Sequence, residues 1–220
     1  MDSLIKENLL QIQEDIAPCK SNIIAVTKYF EVQKMLDAYD TGLRDFAEAR
    51  VNDAIVKINS LPDYVRENSK FHFIGHLQTN KVGKVVKFFD FIHSVDSLNL
   101  AEKISKTALE QNKVQKVFIE VNFAQDDNKF GYSEDLLYKE FPFIKELEGL
   151  EILGLMSMAP LGAEENFLYS LYSKVVSVQK DLSEKYSLPM KETSMGMSQD
   201  YIIAAKCGST QLRIGRKLFT

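Results

Sequence analysis

The stretch Ile23-Ile24-Ala25-Val26-Thr27-Lys28 is the part of the sequence around which we expect the rest of the chain to be arranged. Its four apolar residues predict a short buried strand, and the strand ends close to a lysine. In a barrel of parallel strands, the carboxyl ends open onto the face where binding sites form. An amine held there among apolar neighbours loses hydration and becomes a usable nucleophile toward carbonyl groups. The alternative at this point is a solvated lysine that merely ends a strand.

Strand and helix patterns alternate along the rest of the chain. Helical periodicity predicts a first helix over residues 4–16, before the lysine strand, and further helices between the later strands. About eight strand–helix units with mostly apolar strands predict an α/β fold, a single (β/α)8 TIM-type barrel with an extra N-terminal helix. A doubly wound open sheet is the structural alternative. No linker or repeat interrupts the pattern, so we expect residues 1–220 to form a single domain. We expect the later strands at residues 46–47, 71–75, 91–95, 117–121, 152–156, 192–194 and 211–214.

Composition and charge argue against several classes of protein, including nucleic-acid-binding, membrane-associated and disulfide-bonded ones. The 220 residues are 45% hydrophobic and carry 27 basic and 31 acidic side chains, for a net charge of -4. Because there is no basic run, we expect neither nucleic acid nor a membrane surface as a partner. No signal peptide or membrane span is recognisable, so we expect a cytoplasmic protein, and a monomer. Cys19 and Cys207 have no metal-ligand or redox spacing and are expected to be reduced thiols.

Several familiar chemistries find no support in the motifs. His72 and His76 stand four positions apart, but strand alternation places His72 in a strand and His76 beyond its end, so we expect no metal site. The glycine-rich fingerprint of dinucleotide-binding folds, the P-loop and the glycine-flanked serine elbow of hydrolases do not occur in the sequence.

The C-terminal third contains a candidate phosphate site. The segment Ser194-Met195-Gly196-Met197-Ser198 leads from the seventh strand into a short helix predicted over residues 198–206, with Ser198 at its N-cap. The segment Arg213-Ile214-Gly215 leaves the eighth strand. Barrels commonly bind phosphate between these two loops, because free backbone N–H groups point there and glycine lets an anion approach. The alternative is that the small residues only permit tight turns.

These features together describe a pyridoxal 5'-phosphate (PLP) site. A lysine able to form a Schiff base follows the first strand, a phosphate cup follows the seventh and eighth, and Arg213 points between them. Arginine is one of the partner types known for the pyridine nitrogen of PLP.

The motifs resemble those of the pyridoxal phosphate homeostasis protein family (YggS/PROSC-like), single-domain relatives of the alanine racemase barrel. The resemblance runs from about residue 22 to the C-terminus and is carried by residues 25–28, 72–81, 93–97, 154–160, 194–198 and 213–215. It implies PLP bound as a Schiff base on Lys28. The cofactor-binding residues it implies are Lys28, Asn80, Lys129, Ser194, Gly196, Met197, Ser198, Arg213, Ile214 and Gly215.

One position departs from the family pattern. Where the family usually has Phe-Gly-Glu-Asn, this chain has Phe46-Ala47-Glu48-Ala49. The change removes a polar side chain at the end of the second strand. Asn80 and Lys81, together with Lys129, match family positions at the mouth of the expected site.

The resemblance implies intracellular PLP (vitamin B6) homeostasis rather than catalysis. Racemisation needs an acid/base on each face of the cofactor, and we see no room for the second domain that supplies one in alanine racemase. Arginine at the pyridine nitrogen also disfavours a protonated ring and weakens it as an electron sink. Free amino acids and apo PLP enzymes are the further partners we expect. A one-domain PLP-dependent racemase, for which Tyr29, Tyr132 and Tyr201 are candidate bases, and a barrel for a phosphorylated metabolite remain the alternatives.

Overall fold

A computed structural model of the chain describes residues 3–124 and 130–220. Its parallel strands close into a barrel in which each strand pairs with its neighbours in sequence order and the last strand pairs with the first. The predicted (β/α)8 TIM-type barrel is therefore confirmed, and the open sheet is excluded. The strands are β1 Asn22–Val26, β2 Asp45–Glu48, β3 Lys70–Phe73, β4 Phe91–Val95, β5 Gln115–Val121, β6 Leu150–Ser157, β7 Glu192–Ser194 and β8 Gln211–Ile214.

The helices surround this barrel, and no helix within the described ranges has both the length and the apolar character needed to cross a bilayer. Two short helices, Asp63–Glu67 and Arg216–Phe219, were not predicted, because four or five residues are too few to reveal a helical period. The helices are α1 Ser3–Ile16, α2 Val32–Asp40, α3 Val51–Ser60, α4 Asp63–Glu67, α5 Val82–Phe88, α6 Leu98–Glu110, α7 Glu134–Ile144, α8 Glu165–Tyr186, α9 Tyr201–Lys206 and α10 Arg216–Phe219, with a 3-10 helix at Thr79–Lys81.

The core is divided between the outside and the inside of the barrel. Ile23 and Ala25 of β1 belong to the large apolar layer between strands and helices. Ile24 and Val26 belong to a separate small cluster with Ala47 of β2. Since side chains alternate along a strand, Ile24 and Val26 of β1 face the barrel interior. Lys28, two positions after Val26, falls on the same side at the open end of the barrel.

The extra N-terminal helix predicted from the sequence is α1, and it braces the helices that follow the last two strands. Its buried face consists of Ile5, Leu9, Ile12 and Ile16. The side-chain amide of Asn8 donates to the Leu218 carbonyl in α10 at 3.1 Å. The hydroxyl of Tyr201 at the start of α9 donates to the carboxylate of Asp15. The two ends of the chain are thus held together beside β7 and β8.

Gly196 lies in the loop after β7, where α9 packs closely on the barrel. Its φ is +86°, and a Cβ built there would lie 2.5 Å from Cβ of Ala204. We expect Gly196→Ala to lower the free energy of unfolding by about 2–4 kcal/mol, through left-handed strain and overpacking. Urea unfolding provides the measurement. Gly83→Ala in α5 is the control, because nothing lies within 4 Å of a Cβ there. A Gly196→Ala protein as stable as Gly83→Ala would contradict this account.

Candidate functional site

A cavity of about 370 Å³ lies at the carboxyl ends of the strands. It brings together side chains from the loops after β1, β6, β7 and β8, as expected for the functional face of such a barrel. Five of the sequence-predicted site residues line it: Lys28, Met197, Ser198, Arg213 and Gly215. The other lining residues are Val26, Tyr29, Phe30, Ile74, Met158, Ala159, Pro160, Leu161, Gln199, Asp200 and Arg216.

Lys28 is positioned by a buried ion pair behind the ends of β1 and β2. The ammonium of Lys57, from α3, donates to Glu48 Oε1 at 2.6 Å and to the Thr27 carbonyl at 2.8 Å. The Thr27 hydroxyl donates to the same Glu48 oxygen at 2.7 Å. The Glu48 side chain is only 1% exposed. The peptide that precedes Lys28 is therefore fixed by charge-assisted hydrogen bonds, and Lys28 itself is half-buried in the cavity wall.

The loops after β7 and β8 are joined directly, but not in the predicted way. Helix α9 begins at Tyr201, so Ser198 lies in the preceding turn and the prediction that it caps this helix is wrong. Its hydroxyl instead accepts a hydrogen bond from the backbone N–H of Lys217 in α10 at 3.2 Å. The reason is that Asp200 organises the turn: its carboxylate accepts from the Met197 N–H at 2.6 Å and from the Tyr172 hydroxyl at 2.7 Å.

The two glycines expected at the phosphate cup have different roles. Gly196 does not line the cavity, and its left-handed backbone and contact with Ala204 explain why the protein itself requires glycine there. Gly215 lines the cavity, and a Cβ at this position would meet Val26 at 3.5 Å, an ordinary contact. The protein would therefore have room for an alanine at position 215, and glycine there leaves room for a ligand.

Arg213 is 3% exposed and its guanidinium lines the floor of the cavity. Nη1 donates to Ser194 Oγ at 2.6 Å, and Nη2 donates to the Ser157 carbonyl at 3.0 Å. Burial lowers the pKa of the guanidinium from its ordinary value, while Tyr172, Asp200 and Glu120 act in the opposite direction. An arginine side chain stays charged under these conditions, so the cavity has a fixed cation in its floor.

Four predicted residues do not line this cavity within the described part of the chain. Ser194 contacts Arg213 from behind, and Ile214 is fully buried in the outer apolar layer. Asn80 is exposed in the 3-10 helix, and Gly196 was described above. Lys129 lies outside the described residues. Lys81 and Ala49 line a separate cavity of about 350 Å³, so the departure at position 49 changes that second cavity.

Of the three tyrosines proposed as bases, Tyr29 alone lines the cavity, and it is 71% exposed at the mouth. The Tyr132 hydroxyl donates to Glu140 at 2.9 Å, and that of Tyr201 donates to Asp15. Burial first, and then the neighbouring carboxylates, raise the pKa of both phenols. Neither is placed or charged to act as a base on a ligand in the cavity.

The comparisons with known proteins agree with this geometry. The family model for the alanine racemase N-terminal domain matches residues 3–220. A pyridoxal phosphate homeostasis protein from Synechocystis is 37% identical over 202 residues, covering 92% of each chain. The chain belongs to the pyridoxal phosphate homeostasis protein family. The resemblance drawn from its motifs is thereby confirmed.

Solved structures extend the comparison. PipY from Synechococcus elongatus, solved with PLP bound, is 34% identical, has a TM-score of 0.90 and covers 98% of this chain and all (100%) of its own. An alanine racemase from Clostridium difficile is 14% identical with a TM-score of 0.79 and matches this chain over 56% of its own length. That second likeness concerns the fold alone.

The buried pair of Lys57 and Glu48 generates a stability prediction. We expect Lys57→Met to lower the free energy of unfolding by about 3–5 kcal/mol, because it leaves a buried carboxylate without its cation. The double variant Lys57→Met/Glu48→Gln should recover part of the loss, since a neutral amide needs no counter-charge. Denaturant unfolding of the two single variants and the double variant checks this. A loss for Lys57→Met below about 1 kcal/mol, the range of a surface pair, would contradict it.

Proposed function

We propose that this chain binds PLP as a Schiff base on Lys28 and serves intracellular vitamin B6 homeostasis, holding the cofactor reversibly and releasing it to apo PLP enzymes. The observation that carries the proposal is that one cavity joins the amine of Lys28, the guanidinium of Arg213 and the connected loops at Ser198 and Gly215. The names of the curated relatives and the PLP-bound structure of PipY support it.

The residues of the cavity fit the parts of the cofactor. Bound PLP supplies an aldehyde that condenses with a primary amine, and Lys28 offers that amine at the end of β1. Arg213 uses two guanidinium nitrogens within the protein and presents a cation to the cavity, which suits an unprotonated ring nitrogen as acceptor. The loops at Ser198 and Gly215, with their small side chains and backbone N–H groups, suit the phosphate.

The same geometry favours a carrier over an enzyme. Tyr29, the candidate base at the cavity, is largely exposed. The hydroxyls of Tyr132 and Tyr201 are hydrogen-bonded to carboxylates outside the cavity. A positioned acid/base typically contributes about 10²–10⁴-fold to a proton-transfer step. The curated relatives bear homeostasis names. We therefore propose that free amino acids meet this protein as competing amines that displace Lys28 from the cofactor.

The assignment of Lys28 as the Schiff-base lysine is tested with borohydride, which reduces a Schiff base between PLP and an amine to a stable secondary amine. We expect wild-type protein to gain one phosphopyridoxyl group on the peptide that contains Lys28. Lys28→Ala and Lys28→Arg should gain none there, because a guanidinium stays protonated and does not condense with the aldehyde. Lys106→Arg, an exposed lysine of α6, is the matched control and should behave as wild type. Wild-type trapping at another lysine in both Lys28 variants would overturn the assignment.

The phosphate assignment is tested at Gly215. The protein has room for a Cβ there, so Gly215→Ala should fold with nearly unchanged stability. We expect it to weaken PLP binding at least about tenfold, since displacing even one charge-assisted hydrogen bond costs about 1.5–3 kcal/mol. Affinity for unphosphorylated pyridoxal should stay the same. Titration of both ligands, followed by absorbance, separates the outcomes: an equal loss for PLP and pyridoxal, or no loss, would argue against a phosphate at this loop.

A further inference from the structure

A continuous row of polar side chains runs through the barrel interior from the cavity to the opposite end of the strands. Arg213 donates to Ser194 Oγ at 2.6 Å, and Ser194 Oγ lies 2.8 Å from His93 Nδ1. His93 Nε2 lies 2.9 Å from His72 Nδ1, and His72 Nε2 lies 2.9 Å from Asp45 Oδ1. Asp45 is the first residue of β2, and its side chain is 15% exposed. We call this row the interior chain.

The interior chain admits one direction when both imidazoles are neutral. The Asp45 carboxylate only accepts, so His72 carries its proton on Nε2 and offers the lone pair of Nδ1. His93 must then donate from Nε2, which leaves its Nδ1 as an acceptor. Ser194 must donate its hydroxyl proton to that Nδ1 and accept from Arg213. Every hydrogen bond therefore points from the cation at the cavity toward the anion at the far end of the barrel.

The surroundings of the two rings keep them neutral and fixed. His72 is 2% exposed and stacks on Phe91 with centroids 4.3 Å apart, and His93 is fully buried and stacks on Phe118 at 4.3 Å. Burial lowers the pKa of both imidazoles. For His72 the hydrogen bond with Asp45 and the charges of Asp45 and Asp90 act in the opposite direction, and for His93 the neighbouring His72 and Arg213 lower the pKa further. Because burial has the largest effect on both pKa values, we expect both rings to be neutral near pH 7.

We propose that His93 is a positioning residue for the cofactor site. It accepts a hydrogen bond from the Ser194 hydroxyl, so that the Ser194 oxygen can accept from Arg213 and hold the guanidinium at the cavity floor. Asp45 fixes the direction of the hydrogen bonds along the whole interior chain. The part of this inference that concerns the cofactor rests on the proposed function. The part that concerns the hydrogen bonds stands without it.

The direction of the interior chain is tested on cofactor-free protein by NMR of imidazole nitrogens. The sequence has three histidines, so three ring systems contribute, and His76→Gln identifies the exposed one by its loss. We expect His72 and His93 both to carry the proton on Nε2 at pH 7.5, with N–H signals that exchange slowly. A proton on Nδ1 of His93, or a charged imidazole at either position, would overturn the inference.

The positioning role is tested by the absorption spectrum and affinity of bound PLP. His93→Phe keeps a ring but removes both hydrogen bonds, and we expect it to shift the absorption maximum and weaken binding at least about tenfold. His93→Gln can still accept from Ser194 and donate to His72, so it should stay closer to wild type. Asp45→Ala, although Asp45 lies at the opposite end of the barrel from the cavity, should also alter the spectrum. Glu151→Ala, which removes an exposed carboxylate at the same end of the barrel, is its control.

The outcomes separate this inference from the proposed function. Unchanged spectra and affinities in both His93→Phe and Asp45→Ala would overturn the positioning role, whatever the cofactor does in wild type. A wild-type protein that binds no PLP would contradict the proposed function instead. The tautomers measured in cofactor-free protein would then still decide whether the interior chain exists.

Discussion

The buried charge of Arg213 is the constraint on which much of this structure depends. A guanidinium inside a barrel loses its hydration, and that loss is tolerable only if its N–H groups find acceptors. A carboxylate in direct contact would neutralise it toward any ligand. The protein supplies two neutral acceptors, Ser194 and the Ser157 carbonyl, while the charges of Asp200 and Glu120 offset part of the cost of burial and Asp45 lies at the far end of the interior chain. The cation is thereby stabilised and remains available at the cavity floor.

The barrel interior has a function here beyond filling space. Many barrels pack their interior with branched apolar side chains. This one keeps a small apolar cluster around Ile24 and Val26 on one side and stacked aromatic and imidazole rings on the other. Because Ser194, His93, His72 and Asp45 are hydrogen-bonded in series along the interior chain, these bonds fix the side-chain rotamers of all four residues.

The relation to alanine racemase shows how one barrel supports different uses. The shared fold brings the ends of β1, β7 and β8 to one face, and this is sufficient to assemble a lysine, a cation and two small-residue loops. The PLP binding that we propose requires only that set. Racemisation requires a second, well-placed acid/base in addition, and the described tyrosines of this chain are either exposed or hydrogen-bonded to carboxylates elsewhere.

The sequence by itself determined the barrel, the strand that precedes Lys28 and the place of Arg213 in the last strand, because hydrophobic periodicity and the residues that end each strand are local signals. Only the tertiary structure decided which contacts the residues around the site make. The Ser198 hydroxyl accepts a hydrogen bond from α10, because Asp200 already caps the turn that contains Ser198. Glycine is required at position 196 because α9 packs closely against it. His93 meets Ser194 across 101 positions of sequence. No local pattern encodes such a contact, since only closure of the barrel brings the two strands' inward faces together.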